Sequence, residues 1–379
     1  MLISRRYKHK QTDYLMSQKI MTKKSRCWLS PSFLLPQESH RSRLIRSTYP
    51  PPLKGPRFFS RSRICQVICT LSPYKALGPD KIPNVVLMKC IDVLIDHLFF
   101  IFRTVFELTV YHPRWLKSIT LVLCKIGKSS YDVAKSYCLI GLIDTILKVL
   151  STLCSKHISY LSEKHGLLSV TQFGGRLGRN TSDAMMLTVH KIKEAWRWGK
   201  VAAALFLDMQ GAFPNTVKEQ LIHNMRMRRV PTCFTNIVSL SLTGHSTSLK
   251  FDDFISDPFP LDNGMIQGDP SLMNYYSFYN TPLIDTAAGN DELSPGFVDD
   301  SMMLAIGDTL AQCHDKLKDM MEQPGGGFSW SLMHNSPFEL TKTALMNFPR
   351  SYRDIIPGAL RLDKPNADGS VSTSLTQPV

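Results

Sequence analysis

Apolar and polar positions alternate along this chain in two rhythms. VAAALFLD (201–208) is a short apolar run closed by a carboxylate, and SITLVLCKI (118–126) is a similar run leading into Gly127-Lys128. Runs of this length bounded by Gly or polar residues read as strands. TSLKFDD (247–253), PFPLD (258–262) and FELTKTALMNF (338–348) add further predicted strands. ELSPGFVDDSMMLAI (292–306) sets Asp299 and Asp300 between two apolar runs, the pattern of a β-hairpin. Stretches with helical spacing fill the gaps: 84–106, 139–165, 181–198, 215–228, 232–242, 270–288 and 308–322. The first of these reads as a buried helix, with Lys89, Asp92, Asp96 and Arg103 as its thin polar stripe. Asn180, Thr181 or Ser182 can cap the helix that opens at 181.

Composition adds one asymmetry. The 379 residues carry a formal net charge of +14, but residues 1–63 hold 15 Lys/Arg against two acidic residues. The rest is nearly neutral, so the charge describes a basic, Ser-rich leader expected to be disordered and to touch nucleic acid non-specifically. The last residues, 351–379, are rich in Pro, Ser and Thr and read as a tail. Nine scattered cysteines form neither a CxxC pair set nor a Cys/His set, which argues against a disulfide framework or zinc site. Reduced thiols and an intracellular location, nuclear or cytoplasmic, are the simple reading. No secretory signal and no membrane span is expected, because VLIDHLFFIF (93–102) is short and carries Asp96 and His97.

The carboxylates carry the candidate chemistry. Asp208 ends one predicted strand, and Asp299–Asp300 end another. An Asp at a strand end can be nothing more than a turn cap. If the two strands pair, however, three carboxylates meet and repel one another, and divalent cations relieve that. Mg²⁺ is usually held by one or two carboxylates plus substrate phosphates. Two such ions about 3.5–4 Å apart suit phosphoryl transfer.

Seven motifs in order sharpen this: WLKSITLVLCKIGK (115–128), SYCLIGLIDTILKVL (136–150), QFGGRLGRNTSDA (172–184), LFLDMQGAFPN (205–215), NGMIQGDP (263–270), FVDD (297–300) and HNSPFELTK (334–342). With KALGPDKIPN (75–84) before them, they resemble the reverse transcriptases of LINE-type (non-LTR) retrotransposons, most closely of the fungal sort. The resemblance spans roughly residues 75–350. It implies an α+β right-hand polymerase core, with fingers over 64–200 and a palm over 201–350, the palm an antiparallel sheet backed by helices. It implies RNA-directed DNA synthesis with two Mg²⁺ ions, Mn²⁺ being the alternative. The partners would be an RNA template, a DNA primer and deoxynucleoside triphosphates.

Residue roles follow by the same resemblance. Asp208 and Asp299 would ligate metal, with Asp300 in support. Phe213 would close on the sugar 2′-carbon. Gln267 and Gly268 would pack near the template base and incoming nucleotide, and Lys125 and Lys128 would face the triphosphate. Arg176 and Arg179 would lie along the nucleic acid, and Lys342 would be the acid for the pyrophosphate leaving group.

The chain also departs from the family pattern. Cys138 stands where an arginine would bind triphosphate, and Lys81 replaces the glycine of Gly-Pro-Asp-Gly. Pro270-Ser271-Leu272 replaces Pro-Leu-Ser, and an arginine usual near GHSTSL (244–249) is missing. The sequence stops at Val379 before a recognisable thumb, which a partner or a missing segment would supply. No endonuclease or RNase H segment is recognisable. A catalytically dead remnant that keeps a nucleic-acid-binding fold is the competing expectation.

Overall fold

The computed structural model describes residues 48–54, 60–132, 136–366 and 370–378. Most of the expected leader, 1–47 and 55–59, lies outside the described residues. Within that stretch, the Leu53 N–H donates to the Arg229 carbonyl at 2.9 Å, and Arg229 Nε donates to the Pro51 carbonyl at 3.1 Å. Helix α1 (Arg61–Cys69) also opens inside it, where Ser60 Oγ accepts the Arg63 N–H.

The apolar stretch at 84–106 is two helices, α2 (Asn84–Lys89) and α3 (Ile91–Leu108), broken at Cys90. Helix α3 buries only Leu98, Phe102 and Val105, so it is a one-sided surface helix rather than the buried one expected. Strand β1 (Lys117–Cys124) pairs antiparallel with β2 (Tyr137–Leu142), Leu123 opposite Cys138. The sequence pattern placed 139–142 in a helix. Its short apolar run satisfies its backbone groups against β1 instead, and spacing alone cannot separate those outcomes. Helix α4 (Thr145–His165) starts only afterwards. Its first N–H, on Thr145, donates to Asp80 Oδ2 at 2.6 Å, and the Asp80 N–H donates to Asp144 Oδ1 at 2.9 Å. A turn far earlier in the chain thus caps α4.

Helix α5 (Thr181–Arg197) is closed by a capping box between Asn180 and Asp183. Strand β3 (Val201–Leu207) follows, then α6 (Lys218–Met227) and α7 (Thr232–Ser241). Strands β4 (His245–Phe251), β5 (Phe254–Ile255) and β6 (Phe259–Leu261) lead to helix α8 (Leu272–Ile284). Then come β7 (Glu292–Leu293), β8 (Gly296–Phe297), β9 (Asp300–Gly307) and α9 (Leu310–Glu322). A short helix, α10 (Gly327–Met333), buries Phe328 and Trp330; the glycines at 325–327 disguised it as loop. Strand β10 (Ala344–Phe348) is shorter than expected because 340–342 form a 3₁₀ turn.

The stretch read as a tail carries a hairpin, β11 (Arg361–Pro365) and β12 (Val371–Leu375). Leu362 is fully buried, and the Asp363 N–H donates to Glu322 Oε1 of α9 at 2.7 Å. A last strand, β13 (Gln377–Pro378), pairs with β10.

The strands form two larger sheets. The outer one runs β2-β1-β4-β5, with β6 also on β4, so it draws strands from both sides of residue 200. The central one runs β13-β10-β3-β9-β7, with β8 on β9. In it, β3 lies antiparallel between β10 and β9. Period-two alternation explains the apolar run of β3. Ala202 and Ala204 join Ile192 and Ala195 of α5 on one face, while Val201, Ala203, Leu205 and Leu207 face the main core with α9 on the other. A strand covered on both faces has no polar side to show. The fold is therefore a mixed α+β arrangement of helices and mainly antiparallel sheets, β1–β4 and β10–β13 being the parallel pairs in the two larger sheets. Among the described residues no helix is long and apolar enough to cross a membrane.

Lys81, which stands where the resembled family has glycine, sits at φ +56°. A side chain there costs about 1–2 kcal/mol over glycine's freedom in that region. Lys81→Gly is expected to stabilise the chain by about 1 kcal/mol, read as a higher midpoint in urea at unchanged slope. A lower midpoint would mean that the Lys81 side chain does something the backbone argument leaves out.

Candidate active site

Strand pairing brings the three aspartates to one sheet edge. The β3–β9 register ends at Leu207 opposite Ser301, so the next pair outward is Asp208 opposite Asp300. Continuing the alternation by one residue puts both side chains on the same face. Asp299 sits in the two-residue turn that joins β8 to β9, where Phe297 pairs with Asp300. Burial, then the charges of Asp300 and Asp208, push the Asp299 carboxyl above its ordinary range. Burial and Asp208 push Asp300 the same way. The three groups are thus within electrostatic reach, and each added charge makes the next more costly.

The turn itself is held under strain. Val298 lies at φ +61°, a conformation unfavourable for a β-branched residue and worth about 1–3 kcal/mol. Its neighbours impose it. The Val298 side chain is buried, and its carbonyl accepts from Asn280 Nδ2 at 3.0 Å. The same amide reaches Ser301 Oγ at 3.1 Å. On the other side, Gly174 presses so close that a Cβ there would lie 2.3 Å from the Val298 nitrogen. The Phe173 N–H donates to the Gly296 carbonyl at 2.8 Å, completing a clamp of residues 171–174 on the aspartate turn.

A cation already answers one carboxylate. Lys342 Nζ lies 2.6 Å from Asp208 Oδ2, and this contact raises the lysine's pKa. The segment 337–343 is fixed there by backbone pairing. The Glu339 N–H donates to the Asp208 carbonyl at 2.8 Å, and the Gln210 N–H donates to the Pro337 carbonyl at 2.9 Å. Behind it, buried His334 bonds through its ring nitrogens to the Trp330 carbonyl at 2.9 Å and Asn224 Nδ2 at 3.0 Å. Burial drops its pKa to about 3, so it is a neutral anchor rather than an acid–base group.

Phe213 lies in the loop after Asp208. Its ring meets Tyr276 edge-on at 5.1 Å. Tyr276 is fully buried, feels the charge of Asp299, and donates to Met209 Sδ at 3.1 Å. The Phe213 carbonyl accepts the Met265 N–H at 2.9 Å, which stitches the loop to the polar turn 263–270. Farther along that turn, Gln267 and Gly268 pack against β2. The Gly141 N–H donates to the Gln267 carbonyl at 2.5 Å. Gly268 (φ +132°) comes so near that a Cβ would lie 2.2 Å from the Gly141 oxygen.

Lys125 and Lys128 are exposed in the loop beyond β1; the Lys125 N–H donates to the Ser136 carbonyl and its own carbonyl accepts the Tyr131 hydroxyl, each at 2.9 Å. Cys138 is half-buried at the start of β2 beside that loop. The two arginines behave differently from exposed loop residues. Arg176 is buried and bidentate to Glu163, with Nε and Nη2 each at 2.7 Å, and donates again to the Ser169 carbonyl at 2.7 Å. It is an internal strut joining the loop to α4. Arg179 is half-buried over the Phe173 ring at 5.5 Å and donates to the Gln172 carbonyl at 3.2 Å. Sequence reasoning missed Gly174, Tyr276 and Asn280; only the adjacent glycines of QFGG hinted at a close approach.

Among the described residues no group of three or more His, Cys, Asp or Glu is close enough to hold a metal ion by itself. The donor set still suits a hard cation: two or three mutually repelling carboxylates open to one side, to which substrate phosphates would add oxygens.

No family model matches the chain. Curated relatives do. An RNA-directed DNA polymerase of the X-element transposon of Drosophila melanogaster, a probable one by its name, is 26% identical over 245 residues, 64% of this chain and 27% of the relative. That of the mobile element jockey of Drosophila funebris is 24% identical over 294 residues, 76% of this chain and 32% of the relative. The jockey polymerase of Drosophila melanogaster is 23% identical over 262 residues, 68% and 28% respectively. The chain spans about a quarter to a third of the length of these relatives. They are polymerases of non-LTR elements, as the motifs implied; these relatives come from Drosophila and do not confirm the fungal sort.

The raised carboxyls set a stability test. Between their folded pKa and the ordinary carboxylate value near 4, the folded chain holds protons that the unfolded chain has lost. The penalty, from burial first and repulsion second, is therefore fully present above the raised pKa and fades as pH falls through it. Asp299→Asn is expected to raise the melting temperature at pH 7 in Mg²⁺-free buffer, with the gain shrinking towards pH 4. A gain independent of pH would show that the Asp299 charge does not destabilise the fold.

Proposed function

We propose that this chain is the catalytic core of an RNA-directed DNA polymerase of a non-LTR retrotransposon. The reading is carried by the strand register, which sets Asp208, Asp299 and Asp300 at one sheet edge within electrostatic reach of one another, with a lysine already on Asp208. The relatives' names support the same activity. On this reading the central sheet and its helices are the palm, about 201–350, and the outer sheet belongs to the fingers, about 64–200, extended by β4 to β6.

Asp208 and Asp299 would hold two Mg²⁺ ions, or Mn²⁺, which supply charge for the attacking 3′-oxygen and the leaving pyrophosphate. Asp300 adds charge to the same face. The strained turn at Val298 holds Asp299 in place without relying on solvent-exposed side chains. Phe213, braced by Tyr276, is a rigid wall that would meet a 2′-hydroxyl and reject ribonucleotides. Gln267 and Gly268 offer a backbone surface to the incoming base pair. Lys125 and Lys128, on an exposed loop, would draw in the triphosphate as point charges. Lys342, now on Asp208, would be the acid that gives its proton to the pyrophosphate leaving group. Arg179 would line the nucleic acid; Arg176, spent on Glu163, supports the loop instead. The substrates are a primed RNA template and deoxynucleoside triphosphates.

Primer extension on an RNA template with Mg²⁺ tests this. Asp208→Asn and Asp299→Asn are each expected to lose about a thousandfold or more in rate, since metal support supplies several kcal/mol to the transition state. Extension that survives either change would place the chemistry elsewhere.

Cys138 favours a second reading, a polymerase fold that has lost its chemistry. A thiol cannot replace a guanidinium fork on a triphosphate, and losing such a charge-assisted bond costs about 1.5–3 kcal/mol. Cys138→Arg is expected to raise kcat/KM for nucleotide about tenfold to a hundredfold, mainly through KM if chemistry is slow. Activity absent in both the parent and Cys138→Arg, with the protein folded, would favour the dead form. Full parental activity with a neutral Cys138→Arg would mean that the triphosphate does not sit beside β2.

A further inference from the structure

We propose that Gln377 is a positioning residue for Lys342, holding the 3₁₀ turn 340–342 from the side opposite Asp208. What Lys342 does there rests on the polymerase reading; where Gln377 puts it does not. In the central sheet β10 lies between β13 and β3, so the turn that leads into β10 has Gln377 on one flank and Asp208 on the other. The Gln377 N–H donates to the Thr343 carbonyl at 3.1 Å, and Gln377 Nε2 donates to the Thr341 carbonyl at 2.8 Å. These bonds bracket Lys342 in the chain. A carbonyl oxygen only accepts, so the amide must present its nitrogen to Thr341. On the other flank the Glu339 N–H donates to the Asp208 carbonyl at 2.8 Å.

Lys342 needs such a hold. Its side chain is 64% exposed, and an ammonium on a flexible four-carbon stem reaches one carboxylate reliably only if its root is fixed. Its own N–H is spent inside the turn, on the Glu339 carbonyl at 2.8 Å. Gln377 is in turn fixed from behind. Thr376 is buried, its N–H donates to the Leu360 carbonyl at 3.0 Å, and its Oγ1 accepts the Leu360 N–H at 3.0 Å. Leu362 and the bond from Asp363 to Glu322 anchor that segment on α9. Contacts therefore run without a break from α9 through Thr376 and Gln377 to the turn and on to Asp208. A purely structural role for residue 377 needs only the backbone pairing of β13 with β10, which almost any residue can make. The side-chain amide is additional, and it reaches the residue just before Lys342.

The test uses the full chain and Gln377→Met, which keeps the side-chain length and the backbone bond and removes the amide donor. In primer extension kcat is expected to fall about twofold to tenfold, the range of one hydrogen bond, at unchanged KM for nucleotide. In a Lys342→Gln background the same change is expected to cost nothing further, because Gln377 acts through Lys342. An equal loss in both backgrounds would overturn the proposal. A second readout needs no activity. In Mg²⁺-free buffer a carbodiimide activates carboxyl groups, and an amine in contact displaces the urea and forms an amide bond. The yield of Lys342–Asp208 cross-link, read by peptide mass spectrometry, is expected to fall about twofold or more in Gln377→Met. Lys200–Asp291, an ion pair at 3.1 Å elsewhere in the fold, is expected to cross-link as before. An unchanged Lys342–Asp208 yield, or a matching fall at Lys200–Asp291, would overturn the proposal. A parent that extends no primer but shows the selective fall would defeat the polymerase reading and leave the placement of Lys342 by Gln377 standing.

Discussion

The pairing of β3 with β9 is the contact on which everything else at this site depends. A one-residue slip would turn Asp208 and Asp300 to opposite faces and would also exchange the small Ala202 and Ala204 that face α5 with the larger Leu205 and Leu207 that face the main core. The different sizes packed on the two faces of β3 therefore favour one register, and the register places the charges. That is why a costly set of carboxylates can be held at the end of a strand whose other residues are almost all apolar.

Holding like charges together needs compensation as well as register. Lys342 is one source, delivered by a short 3₁₀ turn whose backbone is bonded to Asp208. The larger source is packing around the turn. Asn280 and Gly174 close on Val298 from separate segments, and Asn280 also holds Ser301 at the start of β9, so the aspartates cannot relax apart without opening the core. The raised carboxyl pKa values of Asp299 and Asp300 reflect burial first and the neighbouring carboxylate charges second. A site that is unstable alone and rigid in position is what cation binding can use.

Close backbone approach joins the two sheets at the same place. The turn 263–270 touches the loop of Phe213 at one end and Gly141 of β2 at the other. Gly268 and Gly141 admit no side chain between them, and the Ile266 side chain also packs against Gly141, so the outer sheet is tied closely to the turn 263–270. The loop with Lys125 and Lys128 hangs from the other end of β2. Changes within β2, such as Cys138, therefore bear on the site without touching an aspartate.

Much of this was legible in the sequence. The apolar run ending in Asp208 and the paired aspartates between apolar runs stand out, because burial on both faces leaves a plain signature and charge breaks it. Helix 181–197 was legible for a local reason as well, its capping box. What the sequence could not show was anything decided by distant neighbours. CLIG (138–141) reads equally as helix or strand until β1 offers its free edge. QFGGRLGRN reads as a mobile basic loop until Glu163 claims Arg176 and Val298 claims the space beside Gly174. The expected tail becomes a hairpin because α9 offers Glu322 and an apolar seat for Leu362. Local pattern alone determines which residues can be buried and where charge interrupts them. Only the tertiary structure decides which charges meet, because that depends on which strands find each other's hydrogen bonds.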